Sequence, residues 1–333
     1  MFEAMKKMAV AVLSVALLLP NPVAASAPST QLLRVFTEPT AGFTPVYSLI
    51  LSARRSVDMT MYELEDATAE RDLAAAAARG VDVRVFLDRA YSGAWANRQA
   101  ARLLAREAVH VKWAPSSVIV HQKTIVVDDS TALIMTANLT SRYYSNTADF
   151  LVEDRRPADV AAIVRAFDGD WGGDLAGSTY QVPVRGQEGD LVFSPGSESA
   201  LVGLIRSARS SLQTSSEEMG SRAVEDALAA DALRGVKVQV LMTEDPAWDT
   251  AFRYLSEAGV HIRLYPNASS VLYIHAKLTL VDTTKVYVGS INYSTSSMVY
   301  NRELGLITGR PAVVNPVADA FQDWWASAPI AYH

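Results

Sequence analysis

VHQKTIVVDD, residues 120–129, and IHAKLTLVDT, residues 274–283, share one pattern, His-x-Lys-x4-Asp, set in apolar and β-branched residues. Short runs of this composition predict buried strands. Two copies 154 residues apart in a chain of 333 residues indicate two similar halves. The polar residues that recur are His121, Lys123 and Asp128 in the first copy and His275, Lys277 and Asp282 in the second.

The repeat covers much more of the chain than these two motifs. Residues 67–88 (ATAERDLAAAAARGVDVRVFLD) match residues 222–243 (RAVEDALAADALRGVKVQVLMT). In both, a helical spacing of apolar residues ends at a glycine and an alternating run follows, which predicts helix, turn and strand. We therefore predict an α/β fold of two similar sandwich lobes, each with a mixed or parallel sheet flanked by helices. Residues 176–190, rich in glycine and polar residues, predict the linker.

The N-terminus differs from the rest of the chain. Residues 1–27 combine two lysines, a short apolar run and small residues, which is typical of a secretory signal peptide. Cleavage after Ala25 or after Ala27 fits, and an uncleaved membrane anchor is the alternative. We expect residues 28–185 to form the first lobe and residues 186–333 the second, in a protein that is secreted or periplasmic.

Composition limits the possible chemistry. The chain has no cysteine, which excludes disulfides, thiolate metal ligands and a cysteine nucleophile. Its formal charge is −6, and removal of residues 1–27, with two lysines and one glutamate, would make it −7. A chain that is half apolar and one-fifth charged is an ordinary globular sequence, so its stability must come from packing.

Strand geometry sorts the repeated polar residues. Side chains two residues apart face the same side of a strand, so the histidine and lysine of each motif should project together. Asp128 and Asp282 have the opposite parity, and we assign them to holding the strand or its turn. Each motif is followed by a second apolar run that ends in a hydroxyl and an amide, Thr136 and Asn138 in the first half and Ser290 and Asn292 in the second.

An acid follows 28 residues after each histidine, Asp149 after His121 and Glu303 after His275. A catalytic imidazole usually needs an acceptor on its second nitrogen, and a carboxylate fixes both tautomer and orientation. We therefore predict that each acid orients the histidine of its own half.

Neither half is complete for displacing a leaving group, but two halves facing one another would be. One neutral histidine could attack while the other, protonated, donates to the leaving oxygen. The lysines and amides would hold negative oxygens as charge builds, which suits a phosphodiester. A single His-Lys pair on a strand is more often surface decoration, whereas the duplicated set favours the functional interpretation.

The doubled motif resembles the paired HKD motifs of the phospholipase D superfamily, and the similarity runs over nearly the whole chain after residue 27. The resemblance implies two lobes related by a pseudo-two-fold axis and a phosphohistidine intermediate, with no metal or other cofactor. It implies His121 as nucleophile and His275 as general acid. Around the phosphate it implies Lys123, Lys277, Asn138 and Asn292, with Thr136 and Ser290 nearby.

Two positions depart from the symmetry of this pattern. The second half has Gly289 before Ser290, whereas the first has Met135 before Thr136. Asp149 is also one methylene shorter than its counterpart. Which histidine attacks therefore stays open.

Net charge bears on the substrate. A non-specific nuclease relies on a basic surplus to neutralise phosphates, and this chain is acidic. We predict a phospholipid substrate with peripheral contact to a membrane or vesicle surface, and a monomer, since one chain holds both motifs. A secreted nuclease is the alternative, because a local basic stripe can exist in an acidic chain. A catalytically inactive binding protein is a third possibility, although both motifs are intact.

Overall fold

The first half of the chain builds a mixed sheet with helices on both faces. The computed structural model describes residues 31–172 and 186–332, so the predicted signal peptide and most of the predicted linker lie outside the described residues. The strands of this half are β1 (Leu33–Glu38), β2 (Ser56–Met61), β3 (Leu64–Glu65), β4 (Asp82–Leu87), β5 (His110–Trp113), β6 (Thr124–Val127), β7 (Thr131–Met135), β8 (Leu139–Thr140) and β9 (Thr147–Asp154). Its helices are α1 (Thr44–Ser52), α2 (Ala67–Ala78), α3 (Gly93–Ala96), α4 (Arg98–Leu104) and α5 (Pro157–Gly172).

The second half repeats this order. Its strands are β10 (Gly186–Glu188), β11 (Leu191–Ser194), β12 (Ser211–Ser215), β13 (Met219–Gly220), β14 (Lys237–Thr243), β15 (His261–Tyr265), β16 (Tyr273–Ile274), β17 (Lys277–Val281), β18 (Lys285–Gly289), β19 (Tyr293–Ser294), β20 (Glu303–Thr308) and β21 (Ile330–Tyr332). Its helices are α6 (Glu198–Arg206), α7 (Arg222–Leu233), α8 (Asp249–Glu257) and α9 (Pro311–Ser327). Strand β10 lies within the predicted linker, but it belongs to the sheet of the second half because it pairs with β11.

The strand orders of the two sheets match. The first runs β1-β9-β7-β6-β2-β4-β5, and the second contains β11-β20-β18-β17-β12-β14-β15 between the edge strands β10 and β21. In both, three strands are parallel and the others antiparallel, so each sheet is mixed. The predicted α/β fold with two similar lobes is confirmed.

Local sequence explains the helix boundaries at the centre of each lobe. Asp66 caps α2 by accepting hydrogen bonds from two backbone N–H groups, and Ser221 caps α7 in the same way with one. Past the helix ends, Gly80 and Gly235 adopt left-handed φ values of 88° and 94°, which glycine tolerates without steric cost. The predicted helix-turn-strand order is confirmed in both lobes.

Three large buried apolar clusters hold the described chain together, besides a small one of Phe86, Ala114, Val120 and Phe167 in the first lobe. One lies within each lobe, and the third combines inward-facing residues of both sheets with α5 and α9. The described residues from Leu32 onward form one compact unit. No helix among the described residues has the length and apolar character needed to cross a bilayer.

Backbone hydrogen bonds cross between the lobes at two related places. The consecutive N–H groups of His121 and its successor donate to the carbonyl of Arg302, at 2.9 and 3.0 Å. Correspondingly, the N–H groups of His275 and its successor donate to the carbonyl of Ala148, at 3.3 and 2.8 Å, next to the parallel pairing of β16 with β9. Each His-Lys motif is thus joined to the other lobe at the residue immediately before that lobe's repeated acid, Glu303 or Asp149.

The two crossings differ in one ion pair. The Arg302 side chain is 0% exposed and its Nε lies 2.8 Å from Oδ2 of Asp170 in α5, which is 2% exposed. Ala148 holds the equivalent position in the other crossing, so it offers no charge there. The buried pair therefore joins the second lobe to the last helix of the first.

Removing this arginine should strongly destabilise the protein. Because Arg302→Ala leaves Asp170 buried without this counter-ion, the free energy of unfolding is expected to fall by about 3–5 kcal/mol. Urea denaturation measures the change. The matched control is Arg222→Ala, which breaks a 2.9 Å pair with Asp226 whose side chains are 64% and 48% exposed, and it should cost under about 1 kcal/mol. Equal small losses in both variants would contradict a structural role for the buried pair.

Candidate active site

Both motifs reach one cavity of about 680 Å³ through their histidines, whereas Lys123 and Lys277 are not among its lining residues. His121 and His275 line it, together with Asn138 and Asp149. Both imidazoles are largely buried, at 9% and 8% exposure. The structure therefore brings the two halves of the repeated motif together at one site.

Each imidazole is held by a carboxylate from the opposite lobe. Nδ1 of His121 lies 2.8 Å from Oε2 of Glu303, and Nδ1 of His275 lies 2.8 Å from Oδ1 of Asp149. The prediction that each acid orients the histidine of its own half was wrong. The physical reason is the backbone crossing, because His121 pairs with the residue before Glu303 and His275 pairs with the residue before Asp149.

These contacts leave Nε2 as the reactive nitrogen of His121. With Nδ1 directed at Glu303, the neutral ring carries its proton there and keeps a lone pair on Nε2. Burial lowers the pKa of His121, and the positive charges of Lys123 and Lys277 act in the same direction, against the attraction of Glu303. The neutral form, which a nucleophile requires, is therefore favoured.

The two lysines of the motifs are buried, each 1% exposed. Nζ of Lys123 donates to the carbonyl of His121 at 2.6 Å and lies 4.9 Å from the centre of the Tyr62 ring. Nζ of Lys277 lies 3.2 Å from Oε2 of Glu217. Burial, reinforced by the charge of Lys277, lowers the pKa of Lys123 to about 7.

The hydroxyls and amides beyond the motifs do not behave alike. Asn138 lines the cavity, and its buried Oδ1 accepts no hydrogen bond from a described residue. Asn292 is 1% exposed, and its Oδ1 accepts instead from Ser216 Oγ and from the N–H of Glu217. Asn138 is thus available to a ligand, whereas Asn292 holds the loop that carries Glu217.

Thr136 and Ser290 lie outside the cavity lining, although we expected them near the phosphate. Both are 0% exposed. The hydroxyl of Thr136 donates to Asp149, and that of Ser290 donates to the carbonyl of Leu304 at 3.3 Å. Their hydroxyls fix the neighbouring strand and, in the first lobe, the carboxylate that holds His275.

Packing explains why the second half has Gly289 where the first half has Met135. A Cβ atom on Gly289 would lie 2.2 Å from Cα of Gly305 and 2.9 Å from the Tyr287 hydroxyl. These two glycines are paired neighbours on β18 and β20, beside the fully buried Tyr287 ring. At the same place in the first sheet, Met135 pairs with Leu151, so no ring is accommodated there.

Asp128 and Asp282 lie at tight turns, away from the cavity lining. Oδ1 of Asp128 accepts from three consecutive N–H groups, Arg54 to Ser56, at 3.2, 2.7 and 3.0 Å. Asp282 does the same with Arg209 to Ser211. Burial alone would raise the carboxyl pKa, but these N–H groups lower it, to about 2 for Asp282. Each aspartate joins the motif hairpin to the start of the adjacent strand.

The sequence interpretation missed the acids that line the cavity, Glu63, Glu217, Glu218 and Asp245. Glu217 is the most closely engaged, because its carboxylate contacts both His275 and Lys277. The repeat contains a signal for it: β3 and β13 begin at Leu64 and Met219, and two residues earlier stand Tyr62 and Glu217. A comparison of the halves for differences, as well as for matches, would have found this position.

Among residues 31–172 and 186–332, no group of three or more histidine, aspartate or glutamate side chains is arranged to hold a metal ion.

Comparison with known proteins places this site in a family. The family described as "Cardiolipin synthase, PLD-like domain" matches residues 46–171 and 201–325, which include both motifs. The chain belongs to the phospholipase D-like family. The two matches correspond to the two lobes, so this member carries two phospholipase D-like domains in one chain.

Similar phospholipase D-like proteins include a mitochondrial cardiolipin hydrolase of Danio rerio, 30% identical over 132 residues, and phospholipase D Y of Dictyostelium discoideum, 32% identical over 100 residues. These matches cover 39% and 28% of this chain, and 57% and 23% of those proteins. The chain therefore spans little more than half of the first and under a quarter of the second.

The fold of this phospholipase D-like chain also matches solved structures. Phosphatidylserine synthase of Haemophilus influenzae Rd KW20 superposes with a TM-score of 0.67 at 13% identity, over 91% of this chain and 88% of that one. Polyphosphate kinase of Porphyromonas gingivalis gives a TM-score of 0.68 at 16% identity, over 88% of this chain and 47% of that one. At these identities the likeness concerns the fold alone.

Glu303 contacts a histidine of the cavity and Asp128 lies at a turn, so we expect their substitution to affect rate and stability, respectively. Glu303→Gln should lower kcat by about 10²-fold or more with little change in the melting temperature, because the histidine loses its orienting charge. Asp128→Asn should lower the free energy of unfolding by about 1–3 kcal/mol and leave kcat nearly intact. Steady-state kinetics and thermal melts on both variants test this. A normal melt with lost turnover in Asp128→Asn would show that the turn aspartate takes part in the reaction.

The lowered pKa of Lys123 gives a pH dependence. In the enzyme without substrate, Lys123 loses its proton as pH rises through about 7, and it then no longer carries the positive charge that would attract a phosphate. Since kcat/KM reports the free enzyme, it should fall above this pH. In Lys123→Arg the guanidinium stays charged, so the fall should move to higher pH even if the overall rate is lower. An identical pH profile for both proteins would exclude this lysine as its origin.

Proposed function

We propose that the protein is an exported phosphodiesterase of the phospholipase D type, which cleaves or exchanges phospholipid head groups through a phosphohistidine. The observation that supports it best is the pair of imidazoles on one cavity, each held at Nδ1 by a carboxylate of the other lobe. Export rests on the signal-like residues 1–27, and N-terminal sequencing of recovered protein should begin at Ser26 or Pro28.

The proposed reaction has two displacements. Nε2 of His121 attacks phosphorus, the bond to the head-group oxygen breaks, and His275 donates its proton to that oxygen. The head-group alcohol leaves, and His275, now neutral, takes a proton from water as the water oxygen attacks phosphorus and releases His121. Lys123, Lys277 and Asn138 stabilise the negative oxygens in both steps.

The lining of the cavity favours a phospholipid over a polynucleotide. Its wall carries the four acids named above and the rings of Tyr62, Tyr143 and Tyr273, while no arginine or lysine among the described residues belongs to it. Acidic walls repel the many phosphates of a nucleic acid, whereas aromatic rings accommodate apolar groups. A lipid presents one phosphodiester with apolar chains beside it.

A basic and aromatic surface beside the mouth fits contact with a membrane. Arg98, Arg102 and Arg106 are exposed at helical spacing on and just after α4, next to Trp95, which is 54% exposed. None of these three arginines forms an ion pair within the described part of the chain. The Arg142 guanidinium lies over the rings of both Trp95 and the cavity-lining Tyr143, which joins this surface to the mouth.

The second lobe lacks this surface. The helix before β15 presents Asp249, Arg253 and Glu257 at the same spacing before its strand, giving one positive and two negative charges. A bilayer with anionic lipids attracts clustered arginines, and tryptophan and tyrosine are favoured at its interface. We therefore propose that the first lobe faces the lipid.

Product analysis tests the proposal. Vesicles of zwitterionic and anionic phospholipids are incubated with the mature protein, with or without ethanol and with or without EDTA, and labelled single- and double-stranded DNA is treated in parallel. Because a phosphohistidine can be intercepted by a small alcohol, ethanol should divert product from phosphatidic acid to the phosphatidyl ester, and EDTA should leave activity intact. His121→Ala and His275→Ala are the matched inactive controls, each expected to lose about 10³-fold or more of the turnover.

Each outcome distinguishes the alternatives. Complete inhibition by EDTA without an ethyl ester would reject the covalent histidine route. Cleavage of DNA without lipid turnover would move the protein to the nucleases, and turnover of neither would favour a binding protein. Vesicle sedimentation with the triple variant Arg98→Ala, Arg102→Ala and Arg106→Ala addresses the surface, and undiminished binding to anionic vesicles would exclude it.

A further inference from the structure

Glu217 occupies a position that the phosphodiesterase mechanism does not use. Its Oε2 lies 3.2 Å from Nζ of Lys277 and 3.4 Å from Nε2 of His275, and its Oε1 accepts a hydrogen bond from the Tyr273 hydroxyl at 3.0 Å. The side chain is 29% exposed and lines the cavity. One carboxylate therefore contacts both positive groups of the second motif.

The first motif has an aromatic ring at the corresponding place. Tyr62 lies edge-on to His121 with ring centres 4.7 Å apart, and the Lys123 ammonium lies over the same ring. The chain at Tyr62 and the chain at Glu217 each lead, two residues later, into the short strands β3 and β13. The two motifs thus differ in the charge that faces their cations.

The carboxylate gives His275 a second acidic neighbour. Nδ1 of this ring faces Asp149 at 2.8 Å and Nε2 lies 3.4 Å from Oε2 of Glu217, so carboxylate oxygens lie beside both nitrogens. At His121, by contrast, a carboxylate faces Nδ1 alone, and no described side chain bonds to Nε2.

A substrate phosphate needs the space that this carboxylate occupies. In the proposed reaction, Nε2 of His275 donates to the leaving oxygen and Lys277 stabilises a phosphate oxygen. Those two atoms are the ones that Glu217 contacts. A carboxylate and a phosphate cannot share two cations at these distances, because like charges in a buried site repel strongly.

We propose that Glu217 is a positioning residue whose carboxylate stands in for the substrate phosphate in the free enzyme, holding His275 and Lys277 in place until the phosphate displaces it. This inference rests on the proposed phosphodiester chemistry. On displacement, the hydrogen bond to Tyr273 gives the carboxylate a partner on the cavity wall. The site is thereby organised before substrate arrives, and phosphate affinity is lower than the two cations alone would give.

Direct binding of inorganic phosphate tests the inference without requiring turnover. Isothermal titration calorimetry compares the unaltered protein with Glu217→Gln, which keeps the shape of the side chain and removes its charge. Phosphate should bind at least about 10-fold more tightly to the variant, because the competing anion is absent. Tyr273→Phe removes the wall partner of the displaced carboxylate, so this second variant should weaken phosphate binding by a small factor.

Glu218→Gln is the matched control. It removes the same charge from the next residue, which also lines the cavity but does not contact His275 or Lys277, so it should change phosphate affinity by no more than about twofold. Unchanged or weaker phosphate binding in Glu217→Gln would overturn the inference, as would equal tightening in Glu218→Gln.

Kinetics on vesicles separate this inference from the proposed function. In Glu217→Gln, KM should fall by a larger factor than kcat changes, which a merely structural role would not produce. Tighter phosphate binding without lipid turnover in any form of the protein would uphold the role of Glu217 and reject the lipid substrate. Lipid turnover with no shift in phosphate affinity would support the lipid substrate and reject the proposed role of Glu217.

Discussion

The exchange of carboxylates between the lobes is the constraint on which the site depends. His121 is held by Glu303 and His275 by Asp149, and each contact follows from a backbone crossing one residue earlier. Orientation of either imidazole is therefore a property of the interface between lobes. The shared apolar cluster and the buried pair of Arg302 with Asp170 hold that interface at the accuracy that hydrogen bonds of 2.8 Å require.

Within this symmetric frame, the two motifs have different surroundings. A ring faces the cations of the first motif and a carboxylate faces those of the second. Burial lowers the pKa of His121, while carboxylate oxygens lie beside both nitrogens of His275. The proposed displacement needs one base and one acid, and the difference between Tyr62 and Glu217 gives two copies of the same motif unlike surroundings.

Much of this could be predicted from the sequence, because the repeat fixes the same strand order twice and motif spacing brings the histidines and lysines to related places. Spacing could not predict the exchanged carboxylates. The acid follows the histidine by 28 residues in each half, and this distance is the same whether an acid contacts the histidine of its own half or of the other half. The expectation that Thr136 and Ser290 lie near the phosphate was wrong, because their hydroxyls bond to protein groups outside the cavity lining. Glu217 was missed because the predicted site residues came from matching positions, and the first half has Tyr62 at the corresponding place.

The exchange of carboxylates between the lobes also determines at which stage of folding the site becomes complete. A chain in which only one lobe has folded has a histidine without its carboxylate and lacks the second histidine altogether. The same holds for a proteolytic fragment that contains a single lobe. The complete site therefore forms only with the last stage of assembly, so a nascent or damaged molecule does not carry a partly working one.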